Sequence, residues 1–200
     1  NRLLILKKIY PNISLLNLSN CDDTLTLKRA IEEKNGIVDV HHAGTAMRFL
    51  TSFFASKKDI ELILTGNKRM QERPIKILVD TLRALGADIS YMKNNGFPPL
   101  KIKGKELISN SISIDANISS QYISALMLIA PSLNKGLKIT LRNNITSIPY
   151  IKMTLELLSR IGVLCSLKDN IIKIASKKKI NDIKVSIESD WSSASYYYSL

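Results

Sequence analysis

Five arginines, Arg2, Arg48, Arg69, Arg73 and Arg142, stand at the ends of expected helices or strands, where a planar guanidinium fork suits phosphate or carboxylate. Three further stretches put small or hydroxylated residues at the head of an apolar run: Gly44-Thr45, Ser119-Ser120-Gln121 and Ser192-Ser193. Helix first turns carry free N–H groups and partial positive charge, so each such start is a candidate anion site, with Gly44 allowing close backbone approach and Thr45 available as a cap. The most specific local signal is Arg69-Met70-Gln71-Glu72-Arg73-Pro74, because it sets an arginine directly before a proline that opens a helix. The plain alternative is that Arg73 pairs on the surface with Glu72 or Asp80. Asp190, ahead of the last hydroxyl-rich start, is an available base or hydrogen-bond acceptor, as are Asp22, Asp23 and Asp115.

Several chemistries are excluded. The chain has no Ser-His-Asp order, GxSxG elbow, Walker loop or GxGxxG, so hydrolase, P-loop and Rossmann readings have no support. His41 and His42 are adjacent and diverge, and Cys21 and Cys165 belong to no CxxC, so no metal is expected. The two cysteines read as free thiols of a reducing, cytoplasmic setting. A net charge of +12 is compatible with nucleic acid, an anionic membrane or small anionic substrates. The lysines are scattered over turns and strand ends, and aromatics make up only 6% without interleaving with them, which disfavours a stacking platform for single strands. No apolar run is long enough to span a membrane.

What positions these residues is a repeat. A helix that is apolar all round runs from Thr45 to Ala55, followed by a strand from Ile60 to Thr65, an amphipathic helix from Pro74 to Gly86, and strands at 88–92 and 100–103. The same order recurs from Ser120: apolar helix, strand 137–141, a helix opened by Ser147-Ile148-Pro149 and stopped by Gly162, then strands 163–167 and 171–175. Thr45 to Ser120 and Pro74 to Pro149 share one offset of 75 residues. The two ends carry partial copies, one at 2–10 and one starting at Trp191-Ser192-Ser193, with a strand at 13–19 and a helix from Asp22 that Asn35-Gly36 ends. Helices apolar on every side must be buried, while alternating strands can leave one face wet. The expected fold is therefore α/β (α+β): pseudo-symmetric repeats of about 75 residues, with buried parallel helices, outer mixed sheets and helix N-termini gathered at one mouth. With 45% hydrophobic residues, one globular domain over 1–200 is expected, opening at Asn1 and closing inside an apolar run, as a piece of a longer protein would.

At these residues the chain closely resembles the EPSP synthases. The matching pieces are Asn1-Arg2, AGTAMRFL at 43–50, LTGNKRMQERPI at 64–75, SSQYISALMLIAP at 119–131, SIPY at 147–150 and DWSSASY at 190–196, in family order over nearly the whole chain. The resemblance implies one domain of the two-domain enolpyruvyl transferase fold. It also implies transfer of the enolpyruvyl group of phosphoenolpyruvate to the 5-hydroxyl of shikimate 3-phosphate through a tetrahedral intermediate, with no cofactor. By the resemblance, Arg2, Ser119, Ser120, Gln121, Ser147 and Tyr150 hold shikimate 3-phosphate. Gly44, Arg73 and Gln121 meet phosphoenolpyruvate, and His42, Thr45 and Ala46 form the wall where glyphosate binds in sensitive members. His42 stands where many members have Asn and Phe49 where many have Pro, which bears on the shape of that pocket. The family's Lys-Ser would lie upstream of Asn1, and the acid and base groups of a second domain beyond Leu200, so the piece alone is expected to bind without turning over. The related UDP-N-acetylglucosamine enolpyruvyl transferase is the competing enzyme, disfavoured by SSQ and SIPY. A basic RNA-binding module is the competing non-enzyme.

Overall fold

Helices with no polar side have nowhere to go but inward, and the chain folds around two of them, with the apolar half of a third packed against both. The computed structural model describes residues 1–117, 119–143, 145, 147–188 and 198. In the first complete unit, β2 (Asn35–Asp39) leads into α3 (Gly44–Ala55) and returns as β3 (Glu61–Thr65). A short α4 (Lys68–Gln71), α5 (Lys76–Ala84), β4 (Asp88–Tyr91) and β5 (Leu100–Lys103) follow. The second unit repeats this with β6 (Ser111–Asp115), α6 (Ser120–Ile129), β7 (Leu137–Arg142), α7 (Ile148–Arg160), β8 (Cys165–Lys168) and β9 (Ile171–Ile174). A 3-10 turn at Ala130–Ser132 closes α6. The chain ends contribute α1 (Arg2–Ile9), β1 (Ile13–Leu16) and α2 (Asp22–Ala30) on one side and β10 (Ile183–Ser186) on the other.

The two complete units share one topology. Their sheets run β2-β3-β5-β4 and β6-β7-β9-β8, each with one parallel pair followed by two antiparallel ones. Asn35 and Ser111 open equivalent strands 76 residues apart, as do Glu61 and Leu137, which agrees with the offset read from the helix starts. The split unit closes in the same way, because β1 pairs parallel with β10 in the register Ile13 to Ile183. Strand faces alternate as expected of half-wet sheets, with Leu100 and Ile102 turned in and Lys101 and Lys103 turned out.

The helices fill the middle. Every residue of α3 but Thr45 is buried, α6 is buried from Tyr122 to Ile129, and α1 buries Leu3, Leu4, Ile5 and Leu6. α3 packs on α6, and α1 touches both. Large side chains such as Phe49, Phe54, Met47 and Leu126 sit in one continuous apolar cluster. Each contributes roughly 1.5–3 kcal/mol by leaving water. The all-round burial of α3 and α6 is why their sequences show no polar stripe, whereas α1 carries the exposed Lys7 and Lys8 in its last turn.

The structure corrects several boundaries. α2 ends at Ala30, and Asn35-Gly36 opens β2 instead of ending the helix. The amphipathic helix begins at Lys76, not Pro74, because Ile75 lies outside helical geometry at φ −135° and its N–H donates to the Gly96 carbonyl. The residues before it form α4, capped by Asn67, whose side chain accepts from the Met70 N–H at 2.9 Å. β1 stops at Leu16, where Asn17 turns to φ 59° and its side-chain amide donates to the Ile187 carbonyl. β6 and β10 were not expected from the pattern. Trp191, Ser192, Ser193 and Asp190, the heart of the second partial copy, lie outside the described residues.

Candidate functional site

The first turns of α1, α3 and α6 meet at one end of the helical core, and the side chains that join them are polar. On α6, Gln121 donates through Nε2 to the Thr45 hydroxyl of α3 at 3.2 Å. Thr45 is therefore no cap: Ala43 holds that position, no side chain caps α3, and the N–H groups of Gly44, Thr45 and Ala46 meet no acceptor among the described residues. Free donors at a helix head attract anions.

Over this open head lies the Arg73 guanidinium. A Cβ added to Gly44 would stand 2.5 Å from Arg73 Nη1 and 3.1 Å from Arg48 Nη1, so glycine is what lets the fork reach the backbone. Arg48 is buried to 5% exposure, donates from Nη1 to the Gly44 carbonyl at 2.9 Å, and leaves its Nε without a partner. Burial lowers its pKa first and the neighbouring Arg73 charge adds to this, while Tyr122 opposes both. Among the described residues neither arginine forms an ion pair with a carboxylate, and Asp80, the sequence candidate for Arg73, is taken by Lys76 and Arg83. Two guanidiniums and a helix N-terminus thus face one another without a counter-charge. Such a set is stable when an anion sits among them.

The backbone just after Arg73 is tied to the neighbouring unit. Tyr122, at the start of α6, donates its hydroxyl proton to the carbonyl of Pro74 at 2.6 Å. Gln71 donates to the Gly66 carbonyl at 2.9 Å, which ties α4 back to the end of β3.

The second part of the mouth is built of hydroxyls. Ser119 caps α6, accepting from the Gln121 N–H at 3.3 Å. Ser147 heads α7 in the left-handed conformation at φ 59° and makes no side-chain cap. Ser119 and Ser147 are exposed and Ser120 is half-buried. Into this region α1 projects Arg2, whose guanidinium lies 5.7 Å from the Phe49 ring and 5.9 Å from the Tyr150 ring. Burial lowers the Arg2 pKa, and Tyr150 pushes it back up. Arginine nonetheless stays charged at neutral pH. Contacts across a ring face add about 0.5–2 kcal/mol each.

The sequence candidates thus divide. Gly44, Arg48 and Arg73, with Thr45 and Gln121, form one contacting set at the head of α3; Arg2 and Tyr150 form a second, which meets α3 through Phe49, and Ala46 is buried. Arg142 is not among them: it pairs with Asp115 at 3.2 Å on the sheet edge. His42 sits on an exposed turn and lines a surface cleft with Asp22, Arg29 and Asn67, a cleft to which Arg73 and Gln121 contribute nothing. Among the described residues no group of His, Cys, Asp and Glu is placed to hold a metal, and no helix is long and apolar enough to cross a membrane. Residues the sequence reading passed over are Tyr122, Ser124 and Thr154. Their signal was a polar side chain at a buried position: Tyr122 and Ser124 inside the buried α6, and Thr154 on the apolar stripe of the amphipathic α7 between Ile151 and Leu158.

Comparison with known proteins gives this arrangement its context. Residues 5–200 match the family model described as EPSP synthase (3-phosphoshikimate 1-carboxyvinyltransferase). A 3-phosphoshikimate 1-carboxyvinyltransferase of Bacteroides fragilis is 45% identical over 201 residues, covering 100% of this chain and 49% of that protein. One from Buchnera aphidicola is 40% identical, covering 96% of this chain and 43% of the relative. The chain therefore spans about half the length of the curated relatives it matches. In fold it is similar to the EPSP synthase of Acinetobacter baumannii, with a TM-score of 0.75 at 19% identity, over 98% of this chain and 50% of that one. With a family match over nearly its full length and a shared repeat architecture, the chain belongs to the EPSP synthase (3-phosphoshikimate 1-carboxyvinyltransferase) family.

Proposed function

We propose that residues 1–200 form one domain that binds shikimate 3-phosphate. Completed by a second domain, it serves the transfer of the enolpyruvyl group of phosphoenolpyruvate to the 5-hydroxyl of that substrate, with release of phosphate. The observation that carries this reading is the uncompensated cluster of Arg48, Arg73 and the α3 N-terminus beside the hydroxyl-rich heads of α6 and α7. One small dianion suits each part of such a mouth.

In this reading the hydroxyls of Ser119, Ser120 and Ser147 donate to the 3-phosphate, while Arg2 and Tyr150 hold the remainder of the shikimate. Gln121 lies between the two substrates, its Nε2 already directed at Thr45. Arg73 and the free N–H groups behind Gly44 receive the phosphate or carboxylate of phosphoenolpyruvate, with Ala46 and Thr45 as wall. Charge-assisted bonds of this kind contribute roughly 1.5–3 kcal/mol each. Attack of the 5-hydroxyl on the enol carbon, protonation of the methylene and later loss of phosphate need an acid and a base. No carboxylate or lysine of the described mouth contacts are available for that work, so the reading assigns proton transfer to the second domain. The chain alone binds and does not turn over.

Calorimetric titration of shikimate 3-phosphate into the folded chain tests this. A single saturable site that is not displaced by random RNA is the expected result. A folded chain that produces no heat at millimolar ligand, or one whose binding is shared by any polyanion, would count against it.

A further inference from the structure

Thr154 and Ser124 are fully buried hydroxyls on α7 and α6, and together they grip one edge of Arg2. Arg2 Nε donates to the Thr154 hydroxyl at 2.9 Å, and Nη2 lies 3.3 Å from the Ser124 hydroxyl. Thr154 in turn donates its proton to the Tyr150 carbonyl at 2.8 Å, and the two hydroxyls stand 3.2 Å apart. Only one assignment of protons satisfies every contact. Thr154 spends its proton on Tyr150 and accepts from Arg2, so Ser124 donates to Thr154 and accepts from Arg2.

Two consequences follow from that assignment. The Nε and Nη2 edge of the guanidinium is consumed, which leaves Nη1 and the remaining Nη2 proton for a ligand. The partners are neutral, so they orient the cation without cancelling its charge, as a carboxylate would. The same Thr154 proton fixes the Tyr150 peptide, whose ring lies beside Arg2. A single hydroxyl therefore sets the relative placement of α1 and the first turn of α7.

We propose that Thr154, with Ser124, is a positioning residue for the shikimate 3-phosphate site, acting through Arg2 and Tyr150. This rests on the proposed function above. The test compares wild type, Thr154→Val and Thr154→Ser in the two-domain enzyme. Valine keeps the methyl group and loses the hydroxyl, whereas serine does the reverse, so packing and hydrogen bonding separate. Thr154→Val is expected to raise KM for shikimate 3-phosphate about tenfold with KM for phosphoenolpyruvate within about twofold. Thr154→Ser is expected to restore the first to within about threefold. Unchanged KM for shikimate 3-phosphate in a folded Thr154→Val protein, or equal damage in both variants, would overturn the proposal. A wild type without turnover would defeat the proposed function instead. Inorganic phosphate titrated into the same three proteins then still reads the Arg2 edge: weaker binding in Thr154→Val alone supports its positioning, and equal binding in all three overturns it.

Discussion

The two complete units are copies in backbone and strangers in chemistry. Both run parallel strand, buried helix, strand and amphipathic helix into a sheet of the same order. Yet the first opens its buried helix with Gly44 and lays guanidiniums against it, while the second opens with Ser119 and Ser120, and among the described residues its Arg142 is paired with Asp115 instead. The cation there comes from the third, split unit through Arg2. The repeat supplies helix heads at a common end, and the first residues of each head decide what that head can hold. The backbone N–H head needs a glycine and arginines laid against it, while the hydroxyl head brings its own serines and borrows its cation from another unit.

The difference can be broken most strongly at Gly44. Gly44→Ala puts a Cβ 2.5 Å from Arg73 Nη1 and 3.1 Å from Arg48 Nη1, and because both atoms end flexible side chains, folding should hardly notice. In the two-domain enzyme, kcat/KM for phosphoenolpyruvate is expected to fall about a hundredfold, with the thermal midpoint nearly unchanged. Loss of stability in step with activity would instead show that glycine is there for packing.

The second unit should respond in the other substrate. Ser119→Ala/Ser147→Ala is expected to weaken shikimate 3-phosphate by about thirtyfold in calorimetry while leaving phosphoenolpyruvate little affected. Part of any stability change belongs to the lost α6 cap, about 1 kcal/mol. If both substrates weakened together, the two mouths would be one site without division of labour.

The split unit gives the smallest effect, one confined to alkaline pH. Burial pushes the Tyr10 hydroxyl up to about 12, and it donates to the Lys177 carbonyl at 2.6 Å, joining the chain ends. The folded state holds this proton more tightly than the unfolded chain, whose tyrosine titrates near ~10. Its contribution is therefore whole below about pH 10 and lost as pH rises toward 12. Chemical denaturation across that range should show an extra fall on the order of 2 kcal/mol that Tyr10→Phe lacks. Parallel curves for the two proteins would mean the hydroxyl does not link the ends.

Much of this was legible in the chain, and the failures have physical causes. Apolar helices such as 45–55 announce their burial, because a helix with no wet face has only one place to go. The repeat exposed the architecture through helix starts. Strands β6 and β10 were missed because Ser111–Asp115 and Ile183–Ser186 are short and half polar, and their pairing with β7 and β1 is long-range information. The site was legible in its residue types but not in its couplings. Thr45 was read as a cap, yet its hydroxyl serves Gln121 from a different unit. Arg142 matched the pattern of an end-of-strand arginine and is neutralised by Asp115, a partner set by the β6–β7 register. Ser124 and Thr154 were not singled out in the sequence, because their shared partner Arg2 is 122 and 152 residues away and meets them only when α1, α6 and α7 pack together.

On the proposed function, separate helix heads converge on one shikimate 3-phosphate site. Backbone and arginine side-chain nitrogen shifts, followed by NMR as shikimate 3-phosphate is added to the chain, test it most directly. Ser120, Gln121, Ser147, Tyr150 and the Arg2 Nε are expected to move together along one saturation curve. Shifts confined to outward-facing lysines such as Lys101 and Lys138 on the outer sheets, with the helix heads unmoved, would contradict it.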